Sequence, residues 1–459
     1  MLIGLRIVFT LKDMNQFKTL KFRYFLLISA IVAIILIAGG HQLPKYASRL
    51  IFLAVLAVVD VLYWISIRKT ISTRFKHVLS IAYWLPMFML LSFFIFGIFS
   101  NYSEWPPFPR IYVPGFLLIL LIGKGIFLTL IILGDVIFIP INTLKRLLAK
   151  KSLTLKKCLR PCLFLHSISI ISAFVMLLFF SGFFFWVSDF KLTSIELPVQ
   201  NLPREFDGYK IVQLSDMHLG SLPNEAPLEK IVKMVNGQNP DLILFTGDMV
   251  NFTSYEAFPF ITVMKRFRSN DGIFSILGNH DYGEYNQWDS KREKQQNDQA
   301  ILDFYKQINW RLLRNENVII RKDSASIAIV GVENWSQSKR FGKKGNLKRA
   351  LIGTDPEQFK ILMSHDPTHW DGQINCRFPQ IGLTLSGHTH AFQLAIESGS
   401  IKWSPASLLY DEWAGLYEKA HENGQKQFLY VNRGCGTLGY PGRIFTRPEI
   451  TLIILRKSQ

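Results

Sequence analysis

The chain has 459 residues, 49% of them hydrophobic and 14% aromatic, and a formal net charge of +18. Residues 1–187 hold 20 Lys and Arg against 4 Asp and Glu, whereas the remainder holds 32 against 30. A nucleic-acid-binding domain needs its own basic face, so the nearly neutral C-terminal part argues against nucleic acid as a partner.

Five apolar runs come first, at 24–40, 50–67, 78–100, 112–139 and 163–187. A bilayer core takes about 20 apolar residues per helix. Soluble amphipathic helices carry a polar stripe, and these runs carry none. The expectation is an all-α transmembrane domain of about five helices over residues 1–187. Alternate connecting segments carry 16 and 3 Lys and Arg residues, not counting Lys124 within a run. The richer set faces the cytoplasm. Five spans from a cytoplasmic N-terminus place the C-terminal domain outside the inner (plasma) membrane. Asp60, Lys124 and Asp135 lie within the runs, where charge is costly. Lys124 and Asp135 share a helix face but stand about 16 Å apart along the axis, and Asp60 offers Lys124 a partner from another helix.

Residues 188–208 read as a short, polar, extended linker, and 209–459 as one folded domain. Short apolar strands are expected at 210–215, 242–246, 273–277, 327–332, 360–363 and 383–385. Helical spacing is expected at 227–236 and 255–267. Strands alternating with helices indicate a layered α/β fold. Such folds place ligands beyond the carboxyl ends of strands. Asp216 and His218 sit there, as do Asp248, then Asn279, His280 and Asp281, then His365, then His388 and His390. Five of the seven histidines after residue 187 fall in these motifs. Mixed imidazole and carboxylate ligands suit Zn, Fe or Mn, and a bridging carboxylate offsets the repulsion of two cations. No cysteine lies in the motifs. Cys376 and Cys435 read as buried thiols, with a bridge between them as the alternative.

Asp216-x-His218, Gly247-Asp248, Gly278-Asn279-His280-Asp281, Ser364-His365 and Gly387-His388-Thr389-His390 together resemble the signature of the calcineurin-like metallophosphoesterase superfamily. The ending Asn432-Arg-Gly-Cys-Gly-Thr, with Pro448-Glu449-Ile450-Thr451, resembles its membrane-anchored bacterial branch. The resemblance implies a four-layer αββα sandwich. It also implies two metals, the first held by Asp216, His218, Asp248 and His390, the second by Asp248, Asn279, His365 and His388. His280 would then act on the leaving oxygen or the phosphoryl group, oriented by Asp281. Where that branch often has Gly-Gly-Gln after the last ligand, this chain has Ala391-Phe392-Gln393. That change puts substrate shape in question and leaves the ligands alone.

The reading is a membrane-bound, metal-dependent phosphodiesterase or phosphomonoesterase. Tethering to lipid suggests a lipid-linked or envelope phosphate ester. Two other readings stay open: a pyrophosphatase on a nucleotide-linked lipid, and a non-catalytic phosphate-binding sensor or transport component. The basic loop at 341–346 and the aromatic segment 403–417 read as surface loop and packing, with substrate or membrane contact the alternative.

Overall fold

A computed structural model gives the architecture. The structure describes residues 47–68, 76–100, 105–148, 161–399, 401–421 and 426–458. The chain divides into two units, Met1–Phe99 with Gly123–Ser172, and Ser100–Ile122 with Ala173–Gln459.

Four long helices lie among the described residues of the N-terminal part: α1 (Ala47–Ile67), α2 (Lys76–Phe99), α3 (Pro107–Leu148) and α4 (Cys162–Phe185). The segments Lys76–Gly97, Pro107–Leu144 and Leu163–Phe185 are long and apolar enough to cross a membrane, with mean hydropathies of 2.1, 2.7 and 2.4. The expected run at 24–40 lies outside the described residues, and the run at 50–67 forms α1. Within the first unit, Lys124 Nζ donates to Asp60 Oδ2 at 2.5 Å and to the Tyr83 carbonyl at 3.1 Å. Asp60 is fully buried, so the pairing replaces water that neither charge can reach.

The second unit contains two six-stranded sheets. The strands are β1 (Lys191–Val199), β2 (Lys210–Leu214), β3 (Leu242–Phe245), β4 (Ile273–Ser275), β5 (Arg311–Leu312), β6 (Glu316–Lys322), β7 (Ala325–Gly331), β8 (Lys360–Met363), β9 (Ile381–Ser386), β10 (Ile396–Ser398), β11 (Ile401–Trp403), β12 (Gly415–Ala420), β13 (Lys426–Val431) and β14 (Glu449–Lys457). One sheet runs β1-β14-β2-β3-β4-β5 and the other β12-β13-β9-β8-β7-β6. β2 to β5 are parallel, as are β7, β8, β9 and β13.

Strand alternation decides the layers. Ile211, Leu242, Leu244 and Ile453 meet Ile329, Ile361, Leu383 and Leu385 between the sheets. The opposite faces, Val212, Leu214, Ile243 and Phe245, pack on α5 (Ala226–Asn236) and α6 (Lys291–Gln307). Beyond the second sheet, Val330 and Leu362 pack on Leu347, Ala350 and Trp370 from short helical turns. The order is helix, sheet, sheet, helix.

Two local expectations change. The segment read as a linker carries β1, which pairs in parallel with β14 from Lys191↔Glu449 to Val199↔Lys457. Its partner lies some 250 residues on, so no local pattern announces it. The helix expected at 255–267 breaks into the turns Ser254–Glu256 and Phe258–Phe260 and the single turn Ile261–Met264. Pro259 lacks the N–H that a continuous helix would need there.

Candidate metal centre

Each ligand-bearing loop leaves the carboxyl end of a parallel strand. β2 delivers Asp216 and His218, β3 Asp248, and β4 Asn279 to Asp281, all from one sheet; β8 delivers His365 and β9 delivers His388 and His390 from the other. The two sheets are pinned below the site by Gln213 Nε2, which donates to the Ser386 carbonyl at 2.9 Å. A Cβ on Gly387 would collide with Ser215 and Asp216, so only glycine lets the β9 loop approach the β2 loop. Asp216, His218, Asp248, His388 and His390 all take positive φ, between 42° and 71°. That conformation is disfavoured for residues with a side chain and clusters at functional sites.

Two groups of donors result, Asp216 with His218 and His390, all buried, and buried Asp248 and His365 with half-buried His388. His390 Nε2 lies 3.2 Å from Asp216 Oδ1 and 3.1 Å from His218 Nε2. His365 Nε2 lies 3.1 Å from Asp248 Oδ2, 3.1 Å from Asn279 Oδ1 and 3.3 Å from His388 Nδ1. Donors bound at about 2.1 Å to one ion, in tetrahedral or octahedral array, stand ~3.0–3.4 Å apart. The side chains therefore already have the spacing of a coordination shell. Asp248 Oδ2 also lies 3.7 Å from His218 Nε2, so one carboxylate oxygen faces donors of both groups.

Surrounding carbonyls fix the rings. His218 Nδ1 donates to the Val250 carbonyl at 3.1 Å and His365 Nδ1 to the Thr246 carbonyl at 2.8 Å, which turns each Nε2 toward the centre. Burial lowers the pKa of His365, but Asp248 and Asp216 outweigh it and push it up to about 10. The two carboxylates thus favour positive charge at His365, while burial lowers His218 to about 3 and also lowers His388. The spacing, the donor chemistry and the electrostatics all fit a pair of metal ions.

His280 lies beside the donors, its ring 5.0 Å from that of His218 and stacked 4.2 Å from Tyr285. Its Nδ1 meets the Asn251 carbonyl at 2.6 Å. The orienting role expected of Asp281 goes to that carbonyl instead. The Asp281 carboxylate accepts the N–H groups of Asp248, Met249, Val250 and Gly278 at 2.7 to 3.3 Å, and so ties the β3 loop to the β4 loop.

The structure adds residues that the motifs do not contain. Tyr285 receives a hydrogen bond from Asn279 Nδ2 at 2.8 Å, and the Tyr410 hydroxyl lies 3.0 Å from His388 Nε2. Burial pushes both phenols up to about 12, so both stay protonated. Phe341 sets its ring 4.8 Å from that of His388, and the exposed Arg340 beside it acts electrostatically on both tyrosines. The terminal motif also acquires a purpose. Cys435 N donates to the Ser215 carbonyl and Gly436 N to the Asp216 carbonyl, so the motif backs the first ligand. Cys435 itself is a free, buried thiol.

Residues 209–392 match the family described as calcineurin-like phosphoesterase, and the chain carries that domain. Among similar proteins is a transmembrane protein with metallophosphoesterase domain from Bos taurus, 32% identical over 58% of this chain and 57% of its own length. An uncharacterized metallophosphoesterase, YkuE, of Bacillus subtilis is 29% identical over 56% of this chain and 82% of its own. UDP-2,3-diacylglucosamine pyrophosphatase LpxG of Chlamydia muridarum is 26% identical over 57% and 88%. The chain spans less than two thirds of the length of the bovine and zebrafish relatives that it matches.

Proposed function

We propose that the protein is a membrane-bound, metal-dependent phosphohydrolase whose substrate is a lipid-linked or envelope phosphate ester, cleaved on the extracytoplasmic side. The observation that carries this reading is the pair of donor groups at coordination spacing with His280 beside them. Asp216, His218, Asp248 and His390 would hold one ion, and Asp248, Asn279, His365 and His388 the other, with Asp248 common to both sets. Two ions so held stabilise charge on a phosphoryl group and lower the pKa of an attacking water. The protein's own residues do the rest. The Asn251 carbonyl anchors His280 through Nδ1 and leaves Nε2 for an oxygen of the substrate. Asp281 holds the β3 and β4 loops together, and Tyr285 and Tyr410 present protonated hydroxyls beside Asn279 and His388.

The test is turnover of bis(p-nitrophenyl) phosphate with Mn²⁺ by the purified full chain. His280→Ala is expected to lower turnover about 10²–10⁴-fold while keeping its metal. Absence of turnover, or turnover unchanged in that variant, would overturn the mechanism. A second reading, cleavage of a diphosphate, draws support from Arg340 at the rim, where a further phosphate would sit, and from the name of the chlamydial relative. Arg340→Ala would then raise KM for a diphosphate ester and leave that for a simple phosphodiester unchanged.

A further inference from the structure

The β10–β11 hairpin is patterned inside out. Register pairs Ile396 with Trp403, Glu397 with Lys402 and Ser398 with Ile401. Successive side chains in a strand point to opposite faces. The charged pair takes the inner face. Glu397 Oε1 binds Arg433 Nη2 at 2.5 Å, and Lys402 Nζ donates to the Ala414 carbonyl at 2.5 Å while lying 5.0 Å from the Trp413 and Tyr417 rings. Ile396, Ile401 and Trp403 lie on the opposite face and are exposed; Glu397 and Lys402 are exposed as well, but it is they that make the contacts with the rest of the domain. A hairpin in water has the reverse pattern, with apolar residues against the protein and charge outside. The turn that follows continues the exposure, with Leu408 77% and Leu409 70% accessible.

The root of the hairpin is tied to the loop that mounts the domain on the membrane helices. At the root of the hairpin, Ala395 N donates to the Ile444 carbonyl. Ile444 belongs to the loop 440–445, which packs on the segments of α3 and α4 that lie in the same unit. A Cβ on Gly115 would collide with Pro441, and one on Gly182 with Tyr440 and Arg443. The Tyr440 hydroxyl binds the Phe179 carbonyl, and the exposed Phe445 sets its ring 5.5 Å from that of Trp186. Trp186 is the first residue after α4, a helix apolar enough to cross a bilayer. Aromatic rings at that position mark the membrane–water interface. At the other end the surface reaches the metal centre, since Tyr410, next to Leu409, touches His388 and lies 6.4 Å from the ring of Phe392.

We propose that the outer face of the β10–β11 hairpin, with the Leu408–Leu409 turn, is a bilayer-embedded surface that brings the metal centre to the lipid headgroups. The occupant is the acyl and interfacial layer of the leaflet that α4 enters. The inverted polarity of the hairpin and its link through the loop 440–445 to Trp186 support that occupant over a protein partner. The inference deepens the proposed function, because a substrate anchored in that leaflet would reach Tyr410 and His388 without leaving the lipid.

The test uses the full chain in nanodiscs of phosphatidylethanolamine and phosphatidylglycerol. A nitroxide is attached at Leu408→Cys, and separately at Trp403→Cys, in a background with Cys158, Cys162 and Cys376 replaced by serine. Oxygen should relax both labels several-fold more effectively than a water-soluble nickel chelate, whereas a label at Lys322→Cys on β6 should show the opposite preference. Nickel accessibility at positions 403 and 408 equal to that at 322 would overturn the proposal. So would protection that appears only when two copies occupy one disc, which would make the face a protein interface. Turnover of bis(p-nitrophenyl) phosphate is followed on the same samples. Labels in lipid without turnover would reject the hydrolase and keep the membrane face; turnover with labels in water would do the reverse.

Discussion

Asp281 follows His280 directly in the chain, yet its carboxylate turns from the imidazole and gathers four backbone N–H groups of the β3 and β4 loops. One of them belongs to Asp248, whose Oδ2 faces donors of both groups. An amide at that place would set N–H against N–H, and each buried group left unpaired costs about 1–3 kcal/mol. Asp281→Asn is therefore expected to lose bound Mn²⁺ and turnover together, as measured by metal analysis after gel filtration. Full metal content with turnover lost would return Asp281 to the role of serving His280. A second residue-scale expectation concerns Phe392, whose φ of 44° follows two residues also in the left-handed region. A left-handed residue with a Cβ is disfavoured by roughly 1–2 kcal/mol, part of which glycine gives back through its freer unfolded chain. Phe392→Gly should thus be about 1 kcal/mol more stable than Phe392→Ala, read as a higher thermal midpoint. The proposed ligands are legible in the sequence because each sits in a short motif at a strand end. Asn251 is not, because it acts through a carbonyl that every residue has. Tyr285 and Tyr410 are not, because only the folded chain brings their hydroxyls to Asn279 and His388.

Elements divide in the same way. β2, β3, β8 and β9 are short, mostly apolar runs, buried but for Lys210, that end on a motif, and the sequence shows them. β1 is mostly exposed and finds its partner at the other end of the domain, so its polar composition reads as a linker. The broken helix at 255–267 has a consequence of its own, because its first turn buries Glu256. Glu256 Oε2 accepts the N–H of Asn251 at 2.6 Å and of Phe252 at 3.3 Å. Burial raises the carboxyl from its ordinary 4.5 to about 6, against the pull of those backbone donors and of Arg110 from α3. The folded state therefore keeps this proton to higher pH than the unfolded state. Stability from this group is full below about 4.5 and is lost as pH rises through about 6, a difference of about 2 kcal/mol at 1.36 kcal/mol per unit. Glu256→Gln is expected to flatten the fall in thermal midpoint between pH 4.5 and 7 relative to the parent chain. An unchanged pH profile would remove Glu256 as its source.

At the scale of the whole molecule, one contact and one charge count bear on the side of the membrane proposed for the metal centre. The segment Ser100–Ile122 belongs to the same unit as the phosphoesterase domain. There Arg110 Nη2 donates to the Gly220 carbonyl at 3.4 Å, and Gly115 meets Pro441. On the proposed function, the donor cluster would lie on whichever side of the membrane holds the connection between α2 and α3, however many spans precede α2. Residues 100–111, that connection with the first residues of α3, hold a single basic residue, Arg110, whereas 68–76 has four and 145–160 has seven. Basic residues stay on the cytoplasmic side. The extracytoplasmic site proposed above agrees with that charge distribution whether or not 24–40 and 50–67 span the membrane. In intact cells, a membrane-impermeant maleimide should label Ser103→Cys and Lys322→Cys alike and spare Lys151→Cys until the membrane is opened. Labelling of Ser103→Cys without Lys322→Cys would break the link between connection and domain. Labelling of Lys151→Cys alone would turn the molecule over and put its substrate in the cytoplasmic leaflet.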